Sequence, residues 1–247
     1  MTFDAHPRSS LIVALDFDSL SAAVKFAKQV ADVVGMFKIG SQLFTTAGPE
    51  AVRQVADLGT GIFLDLKFHD IPNTVAGAVL ATAAMPGVQL VDVHALGGAA
   101  MLRAAAQAVS AGVAMGSDRT RLLAVTILTS MDQKAVREVG ISGVPKTRVV
   151  KLAKLAQEAG VDGVVASVQE AKAIRKACGR EFLIVTPGVR PKGENDTGKN
   201  DDQARTATPR EAMKAGADFI VVGRPILAAP DPRAAAQEIV EEIAASK

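Results

Sequence analysis

Short apolar runs punctuate the chain at 11–15, 36–39, 62–66, 90–93, 122–128, 161–165, 182–185 and 219–222. Each is continuous or nearly so, the pattern of a strand buried on both faces. Amphipathic or alanine-rich stretches lie between them, several with helix signals at their starts. Thr208-Pro209-Arg210-Glu211 reads as a capping box with proline in the first helical position, and Asp231-Pro232 opens the last helix in the same style. Gly59, Gly160 and Gly216 each follow an amphipathic segment and suit a helix C-terminus. Eight strands alternating with helices predict an α/β protein, a (β/α)8 TIM barrel formed by residues 1–247 as a single domain. A doubly wound open sheet is the alternative, and the count of eight over about 250 residues favours the barrel. The polar, glycine-containing stretch 191–205 reads as a long loop after the seventh strand.

Barrels of this kind carry their chemistry at the C-terminal ends of the strands. Charged or polar residues stand where these apolar runs stop. Asp16 ends the first run and Lys38 lies at the end of the second. Asp65 and Lys67 end the third, and Asp92 and His94 the fourth. Thr129 and Ser130 follow the fifth, Arg190 the seventh, and Gly223-Arg224 the eighth. One strand-end charge is ordinarily just an exit into solvent. So many on one rim point to a substrate site. Asp65 and Lys67 are two apart, so regular alternation turns both into the barrel and leaves Leu64 and Leu66 facing the helices. Buried charges are costly unless paired, which predicts an internal ion pair.

Composition narrows the choice. Tyr and Trp are absent and aromatics make up only 4%, which predicts a core of Ala, Val, Leu and Ile. Aromatic platforms for stacked bases are disfavoured, so no nucleic-acid partner is expected. The net charge of +2, from 28 basic and 26 acidic residues, is too even for a polyanion-binding surface but allows a local phosphate site. The lone Cys178 excludes an internal disulfide, fits a reducing compartment, and reads as a packing thiol at a helix end. Residues 1–10 lack an export signal, and no apolar run approaches the roughly 20 residues a membrane span needs. A cytoplasmic protein with no membrane partner is expected.

The block Asp65-Leu66-Lys67-Phe68-His69-Asp70-Ile71-Pro72-Asn73-Thr74 resembles the signature of the orotidine 5'-phosphate decarboxylases, in their short bacterial form. The likeness continues through Ala14-Leu15-Asp16, Phe37-Lys38-Ile39-Gly40, Val93-His94-Ala95 and Leu128-Thr129-Ser130-Met131. It extends to Thr186-Pro187-Gly188-Val189-Arg190-Pro191 and Val222-Gly223-Arg224-Pro225-Ile226. The D-x-K-x-x-D run alone is moderately specific; the whole set in order is highly specific.

The resemblance implies a cofactor-free enzyme without a metal, acting on a nucleotide. Lys67 would protonate C6 of the pyrimidine, with Asp65 beside the departing carboxylate. Asp70, accompanied by Ile71 and Thr74, would reach into the neighbouring subunit's site and touch the ribose, which implies a homodimer. Asp16 and Lys38 match ribose-hydroxyl contacts, and Thr129 and Ser130 the loop at the pyrimidine edge. Arg190, Gln203, Gly223 and Arg224 match the phosphate end. The stretch between Arg190 and Gln203 is longer than in typical short members, and it is expected to close over the phosphate. His69 and His94 read as packing or hydrogen-bonding residues. Magnesium-dependent sugar-phosphate decarboxylases and hexulose-phosphate synthases share the D-x-K-x-x-D run, but they resemble one another in a metal-binding glutamate where this chain has Lys38. A non-catalytic barrel binding a phosphorylated ligand is the remaining alternative, and the presence of Lys67 and Asp70 weighs against it.

Overall fold

Eight parallel strands pair in sequence order and close on themselves. They are β1 (Leu11–Ala14), β2 (Met36–Gly40), β3 (Gly61–Phe68), β4 (Val88–His94), β5 (Arg121–Val125), β6 (Gly163–Val165), β7 (Leu183–Thr186) and β8 (Phe219–Val222). β8 returns to β1 with Leu11 opposite Ile220, which completes the barrel. The open-sheet alternative is thereby excluded. This computed structural model describes residues 6–114, 120–191 and 207–246. None of its helices is long and apolar enough to cross a membrane, among the described residues.

Strand alternation explains why the runs look continuous. Ile12, Ala14, Met36, Phe63, Leu90, Leu123, Val185, Phe219 and Val221 form one buried cluster inside the barrel. Their neighbours Leu11, Val13, Phe37, Ile39, Ile62 and Leu64 pack instead with the surrounding helices. Val91, Val93, Leu122, Ala124, Val164 and Ile184 do the same on the other flank. Each fully buried side chain of this size contributes about 1.5–3 kcal/mol by leaving water. The core is not purely aliphatic, contrary to expectation: Phe37 and Phe63 are among its largest fully buried side chains. With Tyr and Trp absent, phenylalanine supplies the bulk where volume is needed, and five of the nine are buried.

The helix signals hold. Thr208 Oγ1 accepts from Glu211 N at 3.2 Å, and Glu211 Oε2 accepts from Thr208 N at 2.8 Å. Asp231 accepts from Ala234 N at 3.0 Å at the start of the helix Pro232–Ala244. Gly59, Gly160 and Gly216 have φ of 76°, 86° and 99°, just beyond three helix ends, the left-handed conformation glycine adopts most readily. Cys178 is buried at the last position of Val168–Cys178.

Strand ends differ in places. The fifth apolar run outlasts its strand: β5 stops at Val125, and Thr126 turns aside, its N–H and hydroxyl both donating to Val165 O at 3.2 and 3.0 Å. The rest of that run crosses the mouth of the barrel, where Ile127, Leu128, Thr129 and Ser130 line a cleft. After β7, Val189 bridges to Ala207, and Arg190 N donates to Ala207 O at 2.9 Å. Most of the expected phosphate-end loop, with Gln203, lies outside the described residues.

Candidate active site

The site is organised by an irregularity in β3. Leu64 pairs with Val91, but the next registered pair is Phe68 with Val93. Asp65, Leu66 and Lys67 therefore stand opposite the single residue Asp92. This bulge gives Lys67 a φ of 51°, the one non-glycine residue with positive φ among those described. Regular alternation is thus not what brings Asp65 and Lys67 together, and that expectation is corrected. The bulge removes Lys67 N from the sheet ladder, and Asp92 Oδ1 takes it up at 2.8 Å. A buried N–H without a partner would cost about as much as a lost hydrogen bond, so this contact is what makes the bulge tenable.

The side chains then fall into a row of alternating charge. Lys67 Nζ pairs with Asp65 Oδ1. Asp65 Oδ2 lies 3.2 Å from Lys38 Nζ, and Lys38 Nζ lies 3.3 Å from Asp16 Oδ1. Lys38 comes from β2, and Gly40 leaves it room, because a Cβ at Gly40 would stand 2.9 Å from the ammonium.

Burial alone would raise the Asp65 carboxyl, but Lys38, a hydrogen bond from Asp92 and Lys67 outweigh it and hold Asp65 well below the usual carboxylate range. Burial would likewise lower the Lys38 ammonium, yet Asp65 and Asp16 raise it above the ordinary lysine value. Asp92 is pushed well up, first by burial and then by Asp65. His94 is lowered by burial, with further contributions from His69 and Lys67. The rings of His69 and His94 are 5.5 Å apart and tilted, consistent with a packing role.

This row forms part of a cleft of about 340 Å³ at the C-terminal ends of the strands, within the size range of small-ligand sites. Nine of the predicted residues line it: Asp16, Lys38, Asp65, Lys67, Thr129, Ser130, Arg190, Gly223 and Arg224. Arg190 is buried and Arg224 exposed. Asp70, Ile71 and Thr74 are exposed and are not among the cleft-lining residues. Asp70 Oδ1 accepts from Ile71 N at 2.6 Å just before the helix Pro72–Ala83. Asp92, noted in the sequence only as a strand-end charge, is the site residue that sequence reasoning failed to enlist. Its signal was position: Leu90 and Asp92 share the inward face of β4.

The model of the "Orotidine 5'-phosphate decarboxylase / HUMPS family" matches residues 9–239. The chain belongs to this family. It is 53% identical to an orotidine 5'-phosphate decarboxylase of Moorella thermoacetica over 240 residues, covering 96% of this chain and 93% of that protein. A second such decarboxylase, from Syntrophotalea carbinolica, is 52% identical over 240 residues, with 97% and 96% covered. The crystal structure of orotidine 5'-phosphate decarboxylase from Lactobacillus acidophilus superimposes with a TM-score of 0.82 at 39% identity, covering 94% of this chain and 98% of that one. The closed barrel with its surrounding helices is therefore the fold of an orotidine 5'-phosphate decarboxylase.

Proposed function

We propose that this protein decarboxylates orotidine 5'-monophosphate to uridine 5'-monophosphate and carbon dioxide, the last step of de novo pyrimidine nucleotide synthesis. The observation that carries the reading is the row Asp16–Lys38–Asp65–Lys67 along the cleft. It occurs in a chain about half identical to curated decarboxylases over nearly its whole length.

The chemistry asks for such a row. Breaking the bond between C6 and the carboxylate leaves an electron pair in the plane of the ring, with no carbonyl placed to delocalise it. A preorganised cation can stabilise that charge as it develops. The Lys67 ammonium, tethered by Asp65 before substrate arrives, serves here. Carbon dioxide departs, Lys67 gives its proton to C6, and solvent reprotonates the amine. Asp65 adds repulsion against the substrate carboxylate. Two like charges about 4 Å apart interact by roughly 4 kcal/mol at an effective dielectric of about 20. Enzymes commonly lower barriers by about 8–23 kcal/mol, so the Lys67 contribution is the larger.

The other residues hold the nucleotide. Asp16 and Lys38 bind the ribose hydroxyls, Thr129 and Ser130 the pyrimidine edge, and Arg190, Gln203, Gly223 and Arg224 the phosphate. The short helix Arg224–Leu227 directly after β8 supports the last assignment, because barrel phosphate sites commonly use the loops after strands 7 and 8 and a short extra helix. Binding energy from the phosphate can be used to order the reacting end.

Lys38 supports a reaction without metal: its ammonium lies between Asp16 and Asp65, where it would repel a divalent ion bridging those carboxylates. A cytoplasmic homodimer completes the reading, with Asp70, Ile71 and Thr74 contributing to the neighbouring site. Ile71, exposed next to Asp70, would give that contact apolar character. The test is loss of orotidine monophosphate absorbance with purified protein in EDTA. Turnover is expected. No turnover refutes the reading, and turnover restored only by magnesium would assign the chain to the metal-dependent branch.

A further inference from the structure

Asp92 has no part in the roles above, yet it is the most deeply buried charged-type residue of the site, with no exposed surface. It sits beneath the row, inward on β4. Its Oδ1 accepts the Lys67 backbone N–H at 2.8 Å. Its Oδ2 is buried and no hydrogen-bond donor faces it among the described residues. The group it faces is another carboxyl, that of Asp65. Two buried carboxyls in contact cannot both be ionised, and one proton must lie between them. Asp65 already carries an ammonium on each oxygen, so the proton resides on Asp92.

We infer that Asp92 is a neutral carboxylic acid that positions the reacting pair, accepting the Lys67 N–H at the bulge while donating its own proton to Asp65. Burial and the proximity of Asp65 push its carboxyl in the direction this requires. Lys67 holds a left-handed backbone that persists only where the surroundings over-determine it. Without Asp92 the bulge relaxes, and the ammonium leaves the place where charge develops at C6. Asp92 does not touch the substrate. The inference rests on the decarboxylase reading.

Two variants and one spectrum test it. Asp92→Asn reproduces both functions of a neutral acid, since its carbonyl accepts and its amide donates. It should keep kcat within about tenfold of wild type. Asp92→Leu has similar volume and neither function. Its kcat should fall by about 100-fold, the effect of a small misplacement of a reacting group, while KM changes far less. If Asp92→Leu does not fold, Asp92→Ala replaces it. In wild type at neutral pH, infrared difference spectra against Asp92→Asn should contain a protonated-carboxyl C=O band. The proposal is overturned if Asp92→Asn loses as much kcat as Asp92→Leu, if folded Asp92→Leu keeps wild-type kcat, or if the band is absent. Failure of wild type itself to turn over orotidine monophosphate would instead remove the decarboxylase reading, and the infrared band would still report on the proton.

Discussion

Lys67 combines the reacting ammonium with a strained backbone, and the two can be separated by mutation. Its φ of 51° costs an ordinary residue about 1–2 kcal/mol, whereas glycine adopts it freely. Lys67→Ala should lower kcat by about 10²–10⁴-fold, since it deletes the proton donor and its charge, with the barrel still folded by circular dichroism. Lys67→Gly should be equally inactive but about 1 kcal/mol more stable than Lys67→Ala in urea unfolding, because it releases the strain. Retained turnover in either variant would refute the assigned role, and equal stability would refute the strain. The pairing of Lys67 with Asp65 was legible from the chain. The bulge was not, because alternation presumes a regular strand and nothing local marks 65–67 as irregular: no glycine or proline lies among them. Asp92 was equally hard to enlist, since a carboxyl at a strand end usually just meets water; only the register of β3 on β4 shows what it answers.

Whole elements were easier to read than their ends. The eight runs announced themselves because each strand is covered on both faces, and the capping signals at Thr208 and Asp231 work through contacts within one turn. Thr208→Ala should therefore cost about 1 kcal/mol of stability in denaturant titration and leave KM unchanged. The end of β5 was misjudged because an apolar run crossing the barrel mouth looks like more strand. What one chain could not display is the destination of the β3-to-helix turn. Asp70, Ile71 and Thr74 face solvent, which suits residues that complete a neighbour's site. If sites are shared, separately inactive Lys67→Ala and Asp70→Ala chains should complement. Each mixed dimer would hold one site with both residues intact. Equal mixing with free subunit exchange should then restore about a quarter of wild-type activity. Mixed subunits that stay inactive after exchange would place Asp70 in its own chain's site or in none.

Across the whole molecule, the carboxyl pair of Asp65 and Asp92 ties folding to pH. Asp65, held low, contributes stability that is present above its ordinary titration range and is lost as pH falls through its folded value. Asp92, held high, acts in the opposite sense: its contribution is full below the ordinary carboxylate range and is lost as pH rises through its folded value. Over that upper window the native protein carries a proton on Asp92 that the unfolded chain has released, so stability falls with pH. Asp92→Asn keeps the hydrogen bonds and removes the titration. The stability of Asp92→Asn relative to wild type should therefore climb from about pH 4 upward, by at most about 1.4 kcal/mol per pH unit, and level off once Asp92 ionises in the native state. Urea unfolding of both proteins between about pH 5 and pH 8 measures the slope. A difference that does not change with pH would mean that Asp92 is already charged in the folded barrel, and the bulge would then owe its shape to a buried anion rather than to an acid.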